Sequence, residues 1–152
     1  MLTFTGCQKT AQIKPQLVFS ADYTLEYNEM QIKGTLLAED DGNVSISVTS
    51  PKTLKGLFAK TDGENFEVNY NGISLSYSKD NLPDGVFFKM ILISLEKIKT
   101  SEQLDFEKVE DKYIATESTA LGDVEITLDE NFYIEKIEIP NQGFYLKLKK
   151  TR

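Results

Sequence analysis

One short stretch limits what this chain can fold into. Residues 86–98 read V-F-F-K-M-I-L-I-S-L-E-K-I. Phe87, Met90, Ile91, Ser94, Leu95 and Ile98 recur at steps of three and four, which predicts a helix. Val86, Phe88, Leu92 and Ile93 make most of its remaining circumference apolar, so the predicted helix is enclosed by other structure and not laid on a surface. Residues 78–85 form a turn-rich entry. Asp80, Asn81 or Asp84 can serve there as the N-cap, and Pro83 stands where a first helical turn tolerates it. The rival assignment is a strand, because Val86, Phe87, Phe88, Ile91 and Ile93 favour β-structure; length and the amphipathic end E-K-I-K favour the helix.

The rest of the chain reads as strands. Leu17, Phe19, Ala21, Tyr23, Leu25 and Tyr27 alternate with Val18, Ser20, Asp22, Thr24 and Glu26, the period of a strand with one buried face. The pattern resumes at Met30, Ile32, Gly34, Leu36 and Ala38, and again at Val44, Ile46 and Val48. Ser50-Pro51 ends the third strand, since proline cannot donate to a central ladder. Residues 54–60 are expected as a fourth strand, Phe66, Val68 and Tyr70 as a fifth. Asn71-Gly72 is a strong hairpin signal leading into a sixth strand at Ile73, Leu75 and Tyr77. Connections this short dictate an antiparallel meander. After the helix, five further strands centre on Leu104 and Phe106, on Tyr113 and Ala115, on residues 124–128, on residues 133–139 and on residues 144–148. Gly122-Asp123 is expected to interrupt or bend the strand at 124–128.

The predicted fold class is therefore mainly β with one helix (α+β): an antiparallel, strongly curved half-barrel sheet of about 11 strands wrapped around an apolar helix. A sandwich would fill its core from two sheets and has no need of an interior helix. Residues 1–16 are expected to be a signal-peptide remnant and tether, and residues 17–152 a single domain.

Composition narrows the function. With 24 acidic and 17 basic residues the net charge is -7, which argues against nucleic acid as a partner. No apolar run reaches the roughly 18–20 residues of a membrane-spanning helix. The chain has no histidine, so the usual neutral-pH base and the commonest transition-metal ligand are missing. No nucleophile stands beside a base, and no phosphate loop or metal spacing is present. No enzymatic activity, no cofactor and no metal are expected. The acidic turns Glu39-Asp40-Asp41 and Glu107 with Glu110-Asp111 lack the spaced carboxylates of a calcium loop. Lys147, Lys149, Lys150 and Arg152 form a basic stripe, read most simply as the guard of an exposed edge strand.

Near the start, Phe4-Thr5-Gly6-Cys7 resembles the end of a bacterial lipoprotein signal peptide, with small residues before a cysteine that is lipidated. Residues 8–16 then read as a polar tether. The charged region and most of the apolar region of such a signal would lie upstream of Met1. The alternative to this lipoprotein reading is a stray cysteine in a tail. The usage of Lys over Arg, with Arg152 the sole arginine, is of the kind seen in low-GC bacteria.

The order of elements resembles that of the periplasmic lipoprotein carriers, the outer-membrane lipoprotein localisation factors and their relatives among mycobacterial and Firmicute envelope lipoproteins. The matching parts are the long strand at 17–27, the pair around Gly34 and residues 44–48, the exit S-P-K-T-L-K-G at 50–56, the hairpin at Asn71-Gly72 and the single helical interlude. The chain is shorter than most carriers, has one helix where they usually have several, and offers no counterpart to the arginine that guards their cavity. The resemblance implies a lipid-anchored protein of the bacterial cell envelope, at the outer face of the cytoplasmic membrane or in the periplasm. Its partner would be an acyl chain, a lipoprotein or a hydrophobic peptide.

Phe87, Phe88, Met90, Ile91 and Leu95 from the helix, with Phe19, Tyr23, Leu36, Val48, Leu75 and Tyr77 from the sheet, are the candidate lining of an apolar cavity. Interiors normally pack to crystal-like density, so the simpler assignment for the same side chains is a dry core. In that case the chain would be a solid-core module binding another envelope protein.

Overall fold

A computed structural model of the chain describes residues 13–81, 86–100 and 104–151. Six strands precede the helix: β1 (Phe19–Tyr27), β2 (Met30–Ala38), β3 (Val44–Ser50), β4 (Phe58–Thr61), β5 (Asn65–Tyr70) and β6 (Ile73–Ser78). The helix α1 (Phe87–Thr100) leads to β7 (Glu107–Val109), β8 (Lys112–Thr119), β9 (Gly122–Leu128), β10 (Ile134–Ile139) and β11 (Phe144–Lys150). All eleven lie in one open antiparallel sheet, in the order β6-β5-β4-β3-β2-β1-β11-β10-β9-β8-β7. This is the curved sheet with one crossing helix that the alternation predicted.

The topology dictates where the helix goes. The chain leaves the sheet at one free edge, β6, and re-enters at the other, β7. The connection must therefore cross from edge to edge, and a 14-residue helix supplies about 21 Å of that span. It covers the face on which the apolar alternation falls. Cross-strand partners share a face, and one row across the sheet runs Ala115, Ile126, Ile137, Leu146, Leu25, Ile32. All six are buried. Phe87, Phe88, Met90, Ile91, Ser94, Leu95 and Ile98 form the buried stripe of α1. Each fully buried Leu, Ile, Phe or Met contributes roughly 1.5–3 kcal/mol relative to exposure. Ser94, also fully buried, donates to the Met90 carbonyl at 2.8 Å and so leaves no polar group unpaired.

A second row, Ala21, Leu36, Ile46, Ala59, Val68, Leu75, shows where the cover ends. The first four are buried, Val68 is half-buried and Leu75 is 50% exposed. The helix thus shelters the middle of the sheet and leaves the β5–β6 corner open.

Four expectations from local pattern are corrected. Residues 54–60 are not one strand, because Lys52–Leu54 is a 3-10 turn and β4 starts only at Phe58. The Leu54 and Lys55 amides close it by donating to the Pro51 and Lys52 carbonyls, and a further turn with Gly56 at positive φ lets Leu57 donate to the Leu54 carbonyl. Gly122 does not bend a strand; with φ +110° it opens β9 directly after a two-residue turn from Thr119. The strand expected at Leu104 and Phe106 begins only at Glu107, with Phe106 buried just before it. Finally, β11 is not an edge strand. It lies between β1 and β10, and Lys147 and Lys149 project from the outer face, opposite Thr24 and Asp22. Lys150 instead places its ammonium 4.5 Å from the Tyr133 ring centroid.

At the N-terminal side, the described chain is already held by the fold within the stretch expected as tether. Gln16 donates to the Phe132 carbonyl at 2.8 Å, and Ile13 packs partly buried against the core. Cys7 lies outside the described residues.

Candidate functional site

Between α1 and one end of the sheet runs a groove of about 510 Å³. Its helical wall is Leu92 and Ile93, which lie off the buried stripe, together with Leu95 of that stripe and the charged Lys89, Glu96 and Lys99. The opposite wall comes from Ala38, Val44 and Phe66 at the ends of β2, β3 and β5, with Leu17 and Val18 completing it from the segment before β1. The walls are mainly aliphatic and aromatic with one buried hydroxyl, Thr61; of the charged side chains that border the groove, Glu39, Asp40, Asp80, Glu96 and Lys99 are exposed at its mouth and Lys89 is half-buried.

Two loops shape that mouth. After β2, Glu39 donates its amide to the Asn43 carbonyl at 2.9 Å, and Gly42 donates to the Glu39 carbonyl at 3.1 Å. The Asp41 carboxylate accepts both the amide and the side-chain nitrogen of Asn43, so this acidic turn is closed by its own hydrogen bonds. Gly42 has φ +89°, and a Cβ there would sit 3.1 Å from the Lys99 ammonium. After β4, the Asp62 carboxylate accepts the amides of Glu64 and Asn65, each at 2.9 Å. Those amides hold its carboxyl below the usual carboxylate range. Glu39, Asp40, Asp80, Glu96, Lys89 and Lys99 all border the groove. Among the described residues no group of three or more Asp, Glu, His or Cys is placed to hold a metal ion, and no helix is long and apolar enough to cross a membrane.

Of the eleven side chains proposed as cavity lining, Leu95 borders the groove. Phe19, Tyr23, Leu36 and Val48 are buried in the sheet's share of the core, and Phe87, Phe88, Met90 and Ile91 are buried in the helix's share. Tyr77 is half-buried, and Leu75 stands half-exposed on the uncovered β6. The groove is built from Leu92 and Ile93, which the apolar run had assigned to an enclosed helix, and from the strand ends at Ala38, Val44 and Phe66. A usable signal was present. Lys89, Glu96 and Lys99 share one helical side with Leu92, which is the mark of a face reaching solvent.

Tyr23 shows how firmly the deeper layer is packed. Its hydroxyl donates to the Ser47 carbonyl at 2.8 Å, and burial pushes its pKa up. A polar handle satisfied in this way belongs to a fixed interior, not to an adaptable pocket wall.

No protein-family model and no curated protein sequence matches the chain. Among solved structures, a LolA superfamily protein from Nitrosomonas europaea aligns with TM-score 0.40 and 15% identity over 82% of this chain and 64% of its own. An uncharacterized conserved protein from Thermus thermophilus aligns with TM-score 0.52 and 11% identity, covering 90% of this chain and 81% of its own. What the chain shares with the Thermus protein is the fold.

Proposed function

We propose that the chain is a binding protein of the bacterial envelope whose groove takes one acyl chain, or a similarly narrow apolar segment of a lipid, lipoprotein or peptide. The groove itself carries this reading. Its volume of about 510 Å³ falls within the roughly 300–1,000 Å³ of small-molecule sites. Leu92 and Ile93 are half-buried and border the open channel. A helix with a second apolar side facing an open channel gains from a ligand that covers it, which favours binding over the solid-core alternative. The charges at the mouth suit a ligand whose polar end remains in water. Lipidation at Cys7 would hold the domain at a membrane surface, where such ligands are found.

Native mass spectrometry of protein taken from cells is expected to show a co-purified lipid-sized mass. A fluorescent fatty acid should bind the purified chain in a saturable way. Leu92→Glu and Ile93→Glu place charges on the groove's helical wall, outside the buried stripe. They should weaken that binding about tenfold or more while leaving the circular dichroism spectrum unchanged. Saturable binding that both variants retain would remove the groove as the site, and absence of any binding would remove the function. Cys7→Ser, expressed in cells, should move the protein out of the membrane fraction and stop incorporation of labelled fatty acid. If both proteins are recovered in the soluble fraction alike, the anchoring claim fails.

A further inference from the structure

We propose that β6 is a docking edge and that its occupant is β6 of a second copy of this chain, joined antiparallel about a two-fold axis at Leu75. The two free edges of the sheet are treated differently. The β7 edge is three residues long and carries Glu107 and Lys108, the usual protection against strand addition. The β6 edge is six residues long, I-S-L-S-Y-S, with no charge and no proline. It also displays apolar surface, with Ile73 63% and Leu75 50% exposed.

The backbone of β6 is oriented to pair. Asn71 and Gly72 both have positive φ, the signature of the two-residue type I′ loop that links β5 to β6. Such a loop closes on a hydrogen-bonded pair, here Tyr70 and Ile73. By the alternation of an antiparallel ladder, Leu75 and Tyr77 also direct their amides and carbonyls toward β5. Those of Ser74 and Ser76 point to the open side. A second strand can therefore hydrogen-bond at Ser74 and Ser76 and would meet Leu75 at a close, non-hydrogen-bonded position.

The strand is its own complement in that register. Centred on Leu75, Ile73 falls opposite Tyr77 of the second copy, a β-branched and aromatic pair, and Leu75 falls opposite itself. Ser74 meets Ser76. The strand ends at Ser78 and the chain turns into a 3-10 segment at Lys79–Asn81, and no residue of β6 is charged, so the paired strands set no like charges face to face despite a net charge of -7 on each copy. The contact is isologous and closes on itself, giving a dimer and not a filament.

Sedimentation velocity of the full chain across concentrations up to about 100 µM, where contacts of small area still associate, is expected to show a monomer–dimer equilibrium. Leu75→Lys should raise the dissociation constant about tenfold or more, because it adds the charge that guarded edges carry. Leu75 is half-exposed, so this variant should keep the wild-type thermal midpoint. In a Cys7→Ser background, Leu75→Cys should form an intermolecular disulfide on mild oxidation, since facing residues at a non-hydrogen-bonded position lie about 4.5 Å apart between Cα atoms. Ile73→Cys should not, because the two copies of residue 73 would be offset by about 13 Å along the strands. A wild-type chain that stays monomeric overturns the proposal. So does a dimer indifferent to Leu75→Lys, or cross-linking through residue 73 as efficient as through residue 75.

Discussion

Gly34 and Tyr23 act as one unit at the bulge between β2 and β3. The pairing steps from Lys33 with Ser50 to Gly34 with Val48, which leaves Thr49 as the extra residue. A Cβ on Gly34 would lie 1.8 Å from the Ser47 carbonyl oxygen and 2.9 Å from the Tyr23 hydroxyl. Glycine is required there so that the tyrosine can reach that carbonyl. Gly34→Ala is therefore expected to destabilise by about 2–4 kcal/mol, from overpacking together with the lost hydrogen bond. Tyr23→Phe should cost about 1–2 kcal/mol near pH 8. Its pH dependence has a definite sign. The folded state holds the phenolic proton more tightly than the unfolded state does, so this stability is complete below the unfolded pKa of about 10 and is lost as pH rises through the folded value. Denaturant titrations should show the gap between wild type and Tyr23→Phe narrowing above about pH 10. A gap that stays constant to pH 11 would mean that Tyr23 is not shielded from solvent as described.

Within α1, two neighbouring residues of similar size have opposite duties. Ile91 is fully buried between helix and sheet, whereas Leu92 borders the groove. Ile91→Ala should cost about 2–5 kcal/mol by opening a cavity in a packed layer. Leu92→Ala should cost less than about 1 kcal/mol and act chiefly on ligand binding. Equal losses from thermal or denaturant unfolding would show that the groove is closed in solution. The sequence made the helix and its buried stripe legible, because Phe87, Met90, Ile91, Leu95 and Ile98 follow the helical period. The apolar run alone does not separate Leu92 and Ile93 from them; only the charged residues Lys89, Glu96 and Lys99 on the same helical side mark Leu92 as reaching solvent. Which apolar side of a helix is covered depends on how far the sheet curves, and that is set by pairings between residues distant in the chain. The misplacement of β11 has the same origin. Its alternation identified a strand with lysines outward, and nothing local distinguishes a central strand with a polar outer face from an edge.

At the scale of the molecule, the sheet is two meanders joined along a single seam. Strands β1 to β6 form one, β7 to β11 the other, and β1 pairs with β11 from Ala21 opposite Lys150 to Tyr27 opposite Phe144. This pairing joins segments more than a hundred residues apart, so its loop closure is the most distant in the fold and is offset by the burial of Leu25, Leu146 and Phe144, each fully buried. The seam was not readable from sequence, since alternation identifies strands but not their neighbours across such a distance. Removing residues 144–151 would strip β1 and β10 of their shared partner and expose Leu25 and Ile137 at once. The truncated chain is expected to lose its cooperative thermal transition, with neither meander retaining a closed core. Placing Lys at Val109 on the exposed β7 should move the unfolding free energy by no more than about 0.5 kcal/mol. Circular dichroism melts of the two variants make the comparison direct. If the chain without β11 still unfolds near the wild-type midpoint, the meanders are independent units and the helix, not the seam, holds them together.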